Sequence, residues 1–265
     1  MGTDSANMGP TRQRVSDSIV AMLAAETGCS PSHLSCAGVR VSELPVGRTI
    51  EPPQRRFPFQ AHSFSIVTMG AGTVVSATSA WLPWVKELYE DVSAEAQALA
   101  PDTLATVSTE LAKRGYRLHG PDHHFVTSSQ DIRPIRAPEG YRVEIGGAEL
   151  AIGLEPTEWP NGLSLHRGEA RPTTLVALAK HRGRVVGAAS TSADSDEVWQ
   201  IGIDVSESHR HRRIGAALTS ALASAVLREG KIPYYSTSSG NIPSMRTALS
   251  AGFHPGWVDL STQRR

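Results

Sequence analysis

The sequence predicts an α/β (α+β) chain built on a mixed, mostly antiparallel central sheet flanked by helices. Three observations carry that expectation. Apolar runs TLVALAK (174–180), VVGAASTSA (185–193) and VWQIGIDV (198–205) follow one another across the turn-like HRGR and DSD, the spacing of an antiparallel meander. A helical stripe comes next: Ile214, Leu218, Ala221, Leu222, Ala225 and Val226 recur at i, i+4 and i+7 steps, and Gly230 stands just past the last turn. From Tyr141 onward the candidate elements read β, α, β, β, β, α, β, α, β.

Taken from the start, residues 12–27 place Val15, Ile19, Met22 and Leu23 at helical spacing with Gly28 as the stop. Ser30 to Ala61 reads as loop. Phe64 to Ala77 reads as two short strands joined at Gly70 to Gly72, and helical patterns return at Trp81 to Tyr89 and Thr103 to Arg114. Gly115, Gly120 and Pro121 then suggest a turn before the short strand HHFVTSS. In PIRAPEG (134–140), two prolines and a glycine deny both helix continuation and ladder pairing, so a boundary is expected there. This gives an N-terminal α/β subdomain over 1–135, on the acceptor side or as scaffold, and a second domain over 136–265. The second domain begins with a strand at Tyr141 to Ile145 and a helix or two near Ala148 to Leu165. It ends with a strand at 232–238, a helix starting near Asn241 and a strand from Phe253. ELAKRGYRLHG near 110 echoes TALSAGFHPGW near 247; two readings stand, a degenerate repeat of one fold or chance likeness of helix-to-strand junctions.

Bulk properties exclude several function classes. With 40% hydrophobic residues in 265, a packed core is available without crosslinks. Charges balance at 26 and 26, yet residues 206–265 hold eight Lys/Arg against three Asp/Glu, so that end should meet an anion. Aromatics at 6% argue against a stacking nucleic-acid surface, which leaves a small phosphorylated ligand. Two cysteines make no disulfide framework, and the apolar stretch Ile19 to Ala25 is too short to span a bilayer; the expectation is a cytoplasmic protein without membrane or nucleic-acid partners. Cys29, His33 and Cys36 offer three soft ligands and no fourth, so they read as packing residues and no metal is expected. Trp81 and Trp84 read as helix core, and of the neighbours His123 and His124 at most one can face a site.

The segment Asp204 to Leu218, DVSESHRHRRIGAAL, carries the chemistry. A strand ends at Val205, a donor-rich turn follows, and a helix starts near Gly215 with its first N–H groups lacking intrahelical partners. Those donors and the helix dipole favour an anion, Arg210, Arg212 and Arg213 add fixed charge, and Gly215 with Ala216 lets a phosphate approach the backbone. Pyrophosphate is the natural occupant; a solvated basic turn is the alternative for an arginine run standing alone. On the preceding strand Trp199, Ile201, Ile203 and Val205 face the core, while Gln200, Gly202 and Asp204 form a polar, open face.

The order VWQIGIDV, RHRRIGAAL, Asn241 and Ala251-Gly252-Phe253 resembles the GCN5-related N-acyltransferase (GNAT) superfamily over residues 140–258. The resemblance implies a GNAT-like sheet binding acetyl-CoA or another acyl-CoA as co-substrate. In it Arg210 fills the Arg/Gln position of the phosphate turn, with His211, Arg212, Ile214, Gly215 and Ala216 completing it. Arg213 replaces the pattern's first glycine, which either narrows the turn or adds a phosphate contact. The backbone of Ile203 and Val205, flanking Asp204, would pair with the pantetheine arm, and Asn241 and Ser244 would lie along it; a ladder edge and a helix cap are their ordinary roles.

Transfer further requires a deprotonated amine, a polarised thioester carbonyl and an acid for the thiolate. Many relatives place a tyrosine at the position of Ala248, so Tyr235 ranks first as substitute, ahead of Tyr234 and Ser244, with water as another route. For the base, Gln200 stands where relatives often carry a carboxylate, and Glu197 acting through water is preferred against a merely solvated glutamate. Trp159 and His166 lie where relatives bind acceptor. The implied function is transfer of an acyl, first of all acetyl, group to an amine of a small molecule or peptide. Its rivals are an enzyme charged by an acyl carrier protein and a silent acyl-CoA-binding regulatory module. Acceptor identity and oligomeric state are not implied.

Overall fold

The computed structural model describes residues 9–45, 52–56, 62–92, 94–163, 165–166, 169–170 and 173–265. Parts of the expected 30–61 loop and the His166 side chain lie outside them. In chain order the elements are α1 (Arg12–Thr27), α2 (Ser32–Ser35), β1 (Gly38–Glu43), β2 (Phe64–Thr68), β3 (Gly72–Ala77), α3 (Leu82–Tyr89), α4 (Glu95–Ala98), α5 (Pro101–Lys113), β4 (Tyr116–Val126) and β5 (Tyr141–Gly147). There follow β6 (Leu165–His166), β7 (Glu169–Ala170), β8 (Thr173–His181), β9 (Arg184–Ser192), β10 (Val198–Val205), α6 (Ile214–Arg228), β11 (Ile232–Ser238), α7 (Ile242–Ser250) and β12 (His254–Arg264).

Two compact units emerge, residues 1–16 with 125–255 and residues 17–124 with 256–265. They interleave in sequence, whereas the linker at 134–140 suggests one cut; PIRAPEG belongs to the first unit, where Ser220 Oγ binds the Ile135 N–H and the Arg133 carbonyl.

In the second unit the strand order is β1-β3-β2-β12-β4. The β2–β3 hairpin packs Phe64, Ile66 and Val75 on Val85, Tyr89, Val107 and Leu111 of α3 and α5. Trp81 and Trp84 pack on this core, as their helical spacing predicts. Strand β1, expected as loop, has only Val39 and Val41 to signal it and exists through parallel pairing with β3. Strand β4 runs unbroken through Gly120 and Pro121, where a turn is expected: sheet pairing overrides the local turn chemistry.

The first unit has strand order β11-β10-β9-β8-β5. The meander β8-β9-β10 is antiparallel, and β10 pairs β11 in parallel. This is the mixed, largely antiparallel sheet flanked by helices that the element order predicts. Alternation on β8 sends Ala177 and Ala179 to the side of α6 and α7, with Ile201, Leu218, Leu222, Ala248 and Phe253. Val176 and Leu178 go to the opposite side, with Trp159, Leu163 and Ala188. Ile214, Leu218, Leu222 and Val226 of α6 are each at most 2% exposed, and burying each is worth about 1.5–3 kcal/mol, which anchors the helix whose N-terminus matters below. Among the described residues of 148–165 the expected helix or two is replaced by two 3₁₀ turns, Ala148–Ala151 and Pro156–Glu158, because Gly153, Pro156, Pro160 and Gly162 interrupt any α-helical run.

Candidate functional site

A fork between two parallel strands organises the site. The register of β10 with β11 runs from Val198↔Ile232 to Ile201↔Tyr235 and ends there, while β9 pairs β10 as far as Val205↔Gly187. About 13 Å of β10, the four residues 202–205, is thus paired on one side only. Backbone direction alternates along a strand, and Ser206 N–H donates to Val186 of β9, so the even-numbered groups face β9. The N–H and C=O of Ile203 and Val205 therefore turn into the fork. The side chains of both pack toward the α6 core, as the sequence alternation predicts.

The turn lies beyond the fork. A short 3₁₀ turn (Glu207–His209) leads to His211 at φ +61° and Arg213 at φ +63°, ψ +10°. Arg213 thus takes the left-handed conformation that the expected glycine would supply, and the turn keeps its shape instead of narrowing; the substitution carries about 1–2 kcal/mol of backbone strain. Arg213 is the N-cap of α6 and makes no side-chain cap bond; the first helical bond runs from Ala217 N–H to Arg213 C=O. The N–H groups of Ile214, Gly215 and Ala216 stand at the helix start, where the dipole favours an anion. A Cβ on Gly215 would come no nearer than 3.6 Å to Ile203 or Thr247, so the protein leaves this spot open. Arg210 Nε donates to the Val205 carbonyl at 3.2 Å, and Arg210, His211, Arg212 and Arg213 are all exposed. From behind, the His209 ring is held by Tyr141, whose hydroxyl is 2.9 Å from Nδ1 and whose ring stacks on His181 at 4.6 Å.

On the face away from α6, the polar side of β10 is covered where an open surface is expected. The Asp204 carboxylate accepts from Asn161 N–H (2.7 Å), Asn161 Nδ2 (2.8 Å) and Gly162 N–H (2.8 Å). A Cβ on Gly202 would sit 1.9 Å from the Asn161 carbonyl, and one on Gly162 2.3 Å from the Ala188 carbonyl, so both glycines are needed for the loop to lie on the strands. Asp204 therefore clasps a loop instead of standing free beside a ligand. Next along this face Gln200 Nε2 donates to Ser236 Oγ at 2.6 Å. Asp194, fully buried, accepts from the Tyr234 hydroxyl and from Ser192 Oγ at 2.6 Å.

On the α7 side, Asn241 is the N-cap, its side chain accepting from Ser244 N–H at 3.2 Å. Ser244 Oγ lies 2.8 Å from the Tyr235 hydroxyl. Tyr235 closes the fork and shares a buried cluster with Ala248 and Phe253. Burial raises its pKa, a shift opposed by the Ser244 hydrogen bond and reinforced by the Asp204 charge.

Thus the structure gathers Ile203, Val205, Arg210 through Ala216, Tyr235, Asn241 and Ser244 around one fork, with Gln200 and Asp204 on its other face. It does not bring Glu197 there. That residue precedes β10 at the far end, half-exposed, 3.8 Å from Arg14. Asn161, Gly162, Ser236 and His209 are absent from the sequence-based expectations. Their roles arise from contacts 36 to 68 positions apart, for which no local pattern exists. Among the described residues no group of three or more His, Cys, Asp or Glu side chains is placed to hold a metal, and both cysteines are free thiols.

No curated protein matches the chain. Among solved structures it is similar to a GCN5-related N-acetyltransferase-like protein from Streptococcus suis 89/1591, at 18% identity over 72% of this chain and 70% of that one, TM-score 0.43. A GCN5-related N-acetyltransferase from Sphaerobacter thermophilus aligns at 19% identity over 70% and 67%, TM-score 0.44. A tandem GNAT protein from the clavulanic acid biosynthesis pathway aligns at 18% identity over 60% and 58%, TM-score 0.43. Residues 148–253, which contain the fork, the turn and both flanking helices, match the acetyltransferase (GNAT) family, and this part of the chain is a member of the GNAT superfamily.

Proposed function

We propose that the chain is an N-acyltransferase that moves an acyl group, acetyl first, from the thioester of an acyl-CoA to the amine of a small molecule or peptide. The observation that carries this reading is the fork ending at Ile201↔Tyr235 and opening onto a turn with two positive-φ residues and a helix N-terminus. A diphosphate fits the N–H groups of Ile214 to Ala216, with the arginines beside it. The two amides of a pantetheine arm suit the strand-like edge at Ile203 and Val205, next to Asn241 and Ser244.

In the proposed reaction the amine nitrogen attacks the thioester carbonyl carbon, and a strand N–H at 203–205 stabilises the oxyanion. The C–S bond then breaks, and the leaving sulfur takes a proton from the Tyr235 hydroxyl. Burial keeps Tyr235 protonated at neutral pH, so it has a proton to give, and Ser244, hydrogen-bonded to its hydroxyl, is placed to relay one back. We place the protein in a reducing, cytoplasmic setting, which suits its two free thiols; among the described residues no helix is long and apolar enough to cross a membrane. A second reading, donation from an acyl carrier protein, is favoured by the exposure of Arg212 and Arg213, which an acidic partner surface would complement.

The test is calorimetric titration with CoA followed by thiol release from acetyl-CoA in the presence of amines. Tyr235→Phe should lower kcat by about 10- to 100-fold, the low end for a general acid because a thiolate leaves readily, with CoA affinity unchanged. Turnover only with an acyl-loaded carrier would select the second reading. Tight CoA binding without transfer to any acceptor would make the chain a silent binding module.

A further inference from the structure

We infer that the acceptor is an amine already uncharged at neutral pH, of the arylamine or arylhydrazine class, and not an alkylammonium. This rests on the acyltransferase reading and concerns the face of the fork opposite Tyr235. Four carboxylates stand on β10 or in the turn leading into it among the described residues, and none is offered to the fork; Asp196, exposed, sits with Glu197 before the far end of the strand. Asp204 accepts three N–H groups from the Asn161–Gly162 loop. Asp194 is fully buried and accepts two hydroxyls, from Tyr234 and Ser192. Glu197 pairs with Arg14 at the far end of the strand. What this face presents toward the fork is a neutral pair, Gln200 donating to Ser236 at 2.6 Å. A glutamine amide and a hydroxyl can orient a nucleophile, but neither takes up a proton at neutral pH.

Proton balance turns this into a substrate class. When a neutral amine is acylated, the nitrogen loses one proton and the leaving sulfur gains one, so the net reaction needs no base; Tyr235 supplies the sulfur, and the nitrogen's proton passes to water. An alkylammonium must first lose an additional proton. With a pKa of about 10.4, only roughly one molecule in 2,500 is neutral at pH 7, a deficit that an enzyme carboxylate or imidazole would have to make up.

The experiment uses the full chain, first titrated with CoA. Thiol release from acetyl-CoA is then followed with 4-methoxyaniline and phenylhydrazine against benzylamine and cadaverine, from about pH 6 to 9. The expected result is a flat kcat/KM for the aromatic nucleophiles. The alkylamines should react at least about 100-fold more slowly at pH 7 and climb about tenfold per pH unit along their own ionisation. Gln200→Glu should raise the ratio of alkylamine to arylamine rate about tenfold or more at pH 7. The wild-type profiles decide the matter even if that variant does not fold. Alkylamine turnover by the wild type with an inflection that stays put as the amine is changed would reveal an enzyme base and overturn this assignment alone. CoA binding without thiol release from either class, or no CoA binding at all, would overturn the acyltransferase reading beneath it.

Discussion

Arg55 in one unit and the arginines of the turn in the other put the same side chain to contrasting uses. Arg55 donates from Nε and Nη2 to the two carboxylate oxygens of Glu26 at 2.9 and 2.8 Å, and its guanidinium lies 5.4 Å over the Trp257 ring. That ring stacks in turn on His124 at 4.3 Å, and His124 Nε2 stands 2.9 Å from Asp259. The Arg55 side chain is 13% exposed, so its charge is spent on internal partners. Arg212 and Arg213 are exposed, and no carboxylate pairs with either among the described residues. A fork-to-fork pair fixes a fold by satisfying every donor, whereas an unpaired cluster keeps its field available to a ligand. Counting arginines does not separate the two uses; their partners do.

The comparison breaks most sharply at Arg55. Arg55→Ala should destabilise the protein by about 3 kcal/mol in urea unfolding, since it leaves the partly buried Glu26 charge without its partner, while CoA affinity in calorimetry stays as in the wild type. The turn should answer oppositely. Arg210→Ala with Arg212→Ala should weaken CoA binding by about 1–3 kcal/mol and shift the unfolding midpoint little; unchanged affinity would remove the diphosphate from this turn. The smallest effect sharpens the contrast. Arg213→Gly should stabilise the fold by about 1 kcal/mol as the φ of +63° ceases to be strained, with a thermal midpoint a few degrees higher. A CoA Kd that rises in the same variant would show that the guanidinium also contacts phosphate.

Much of this was legible before any coordinates. Strand β10 and strand β11 coincide with the apolar runs at 198–205 and 232–238, because the first alternates and both are bounded by turn residues. Helix α6 begins and ends where its stripe and Gly230 place it. Asn241 caps α7 as its residue type and position suggest. Legibility fails where a residue's meaning comes from a distant partner. Glu197 and Asp204 look alike in sequence, one carboxylate just before β10 and one near its end. One meets Arg14 and the other meets the Asn161 loop, and neither partner is within reach of a local window. Likewise β1 is a strand only because β3 lies beside it.

Local chemistry alone therefore determined the alternation of β10, the donor-rich turn with its arginines, the start of α6 and the cap of α7, since each depends on residues within one or two turns of backbone. Tertiary structure decided that β11 leaves β10 after Ile201, that Tyr235 rather than a residue at 248 meets Ser244, and which carboxylates are already bound. Where strands part and which charges are neutralised are set by packing between segments far apart in the chain, and no window on the sequence contains both partners.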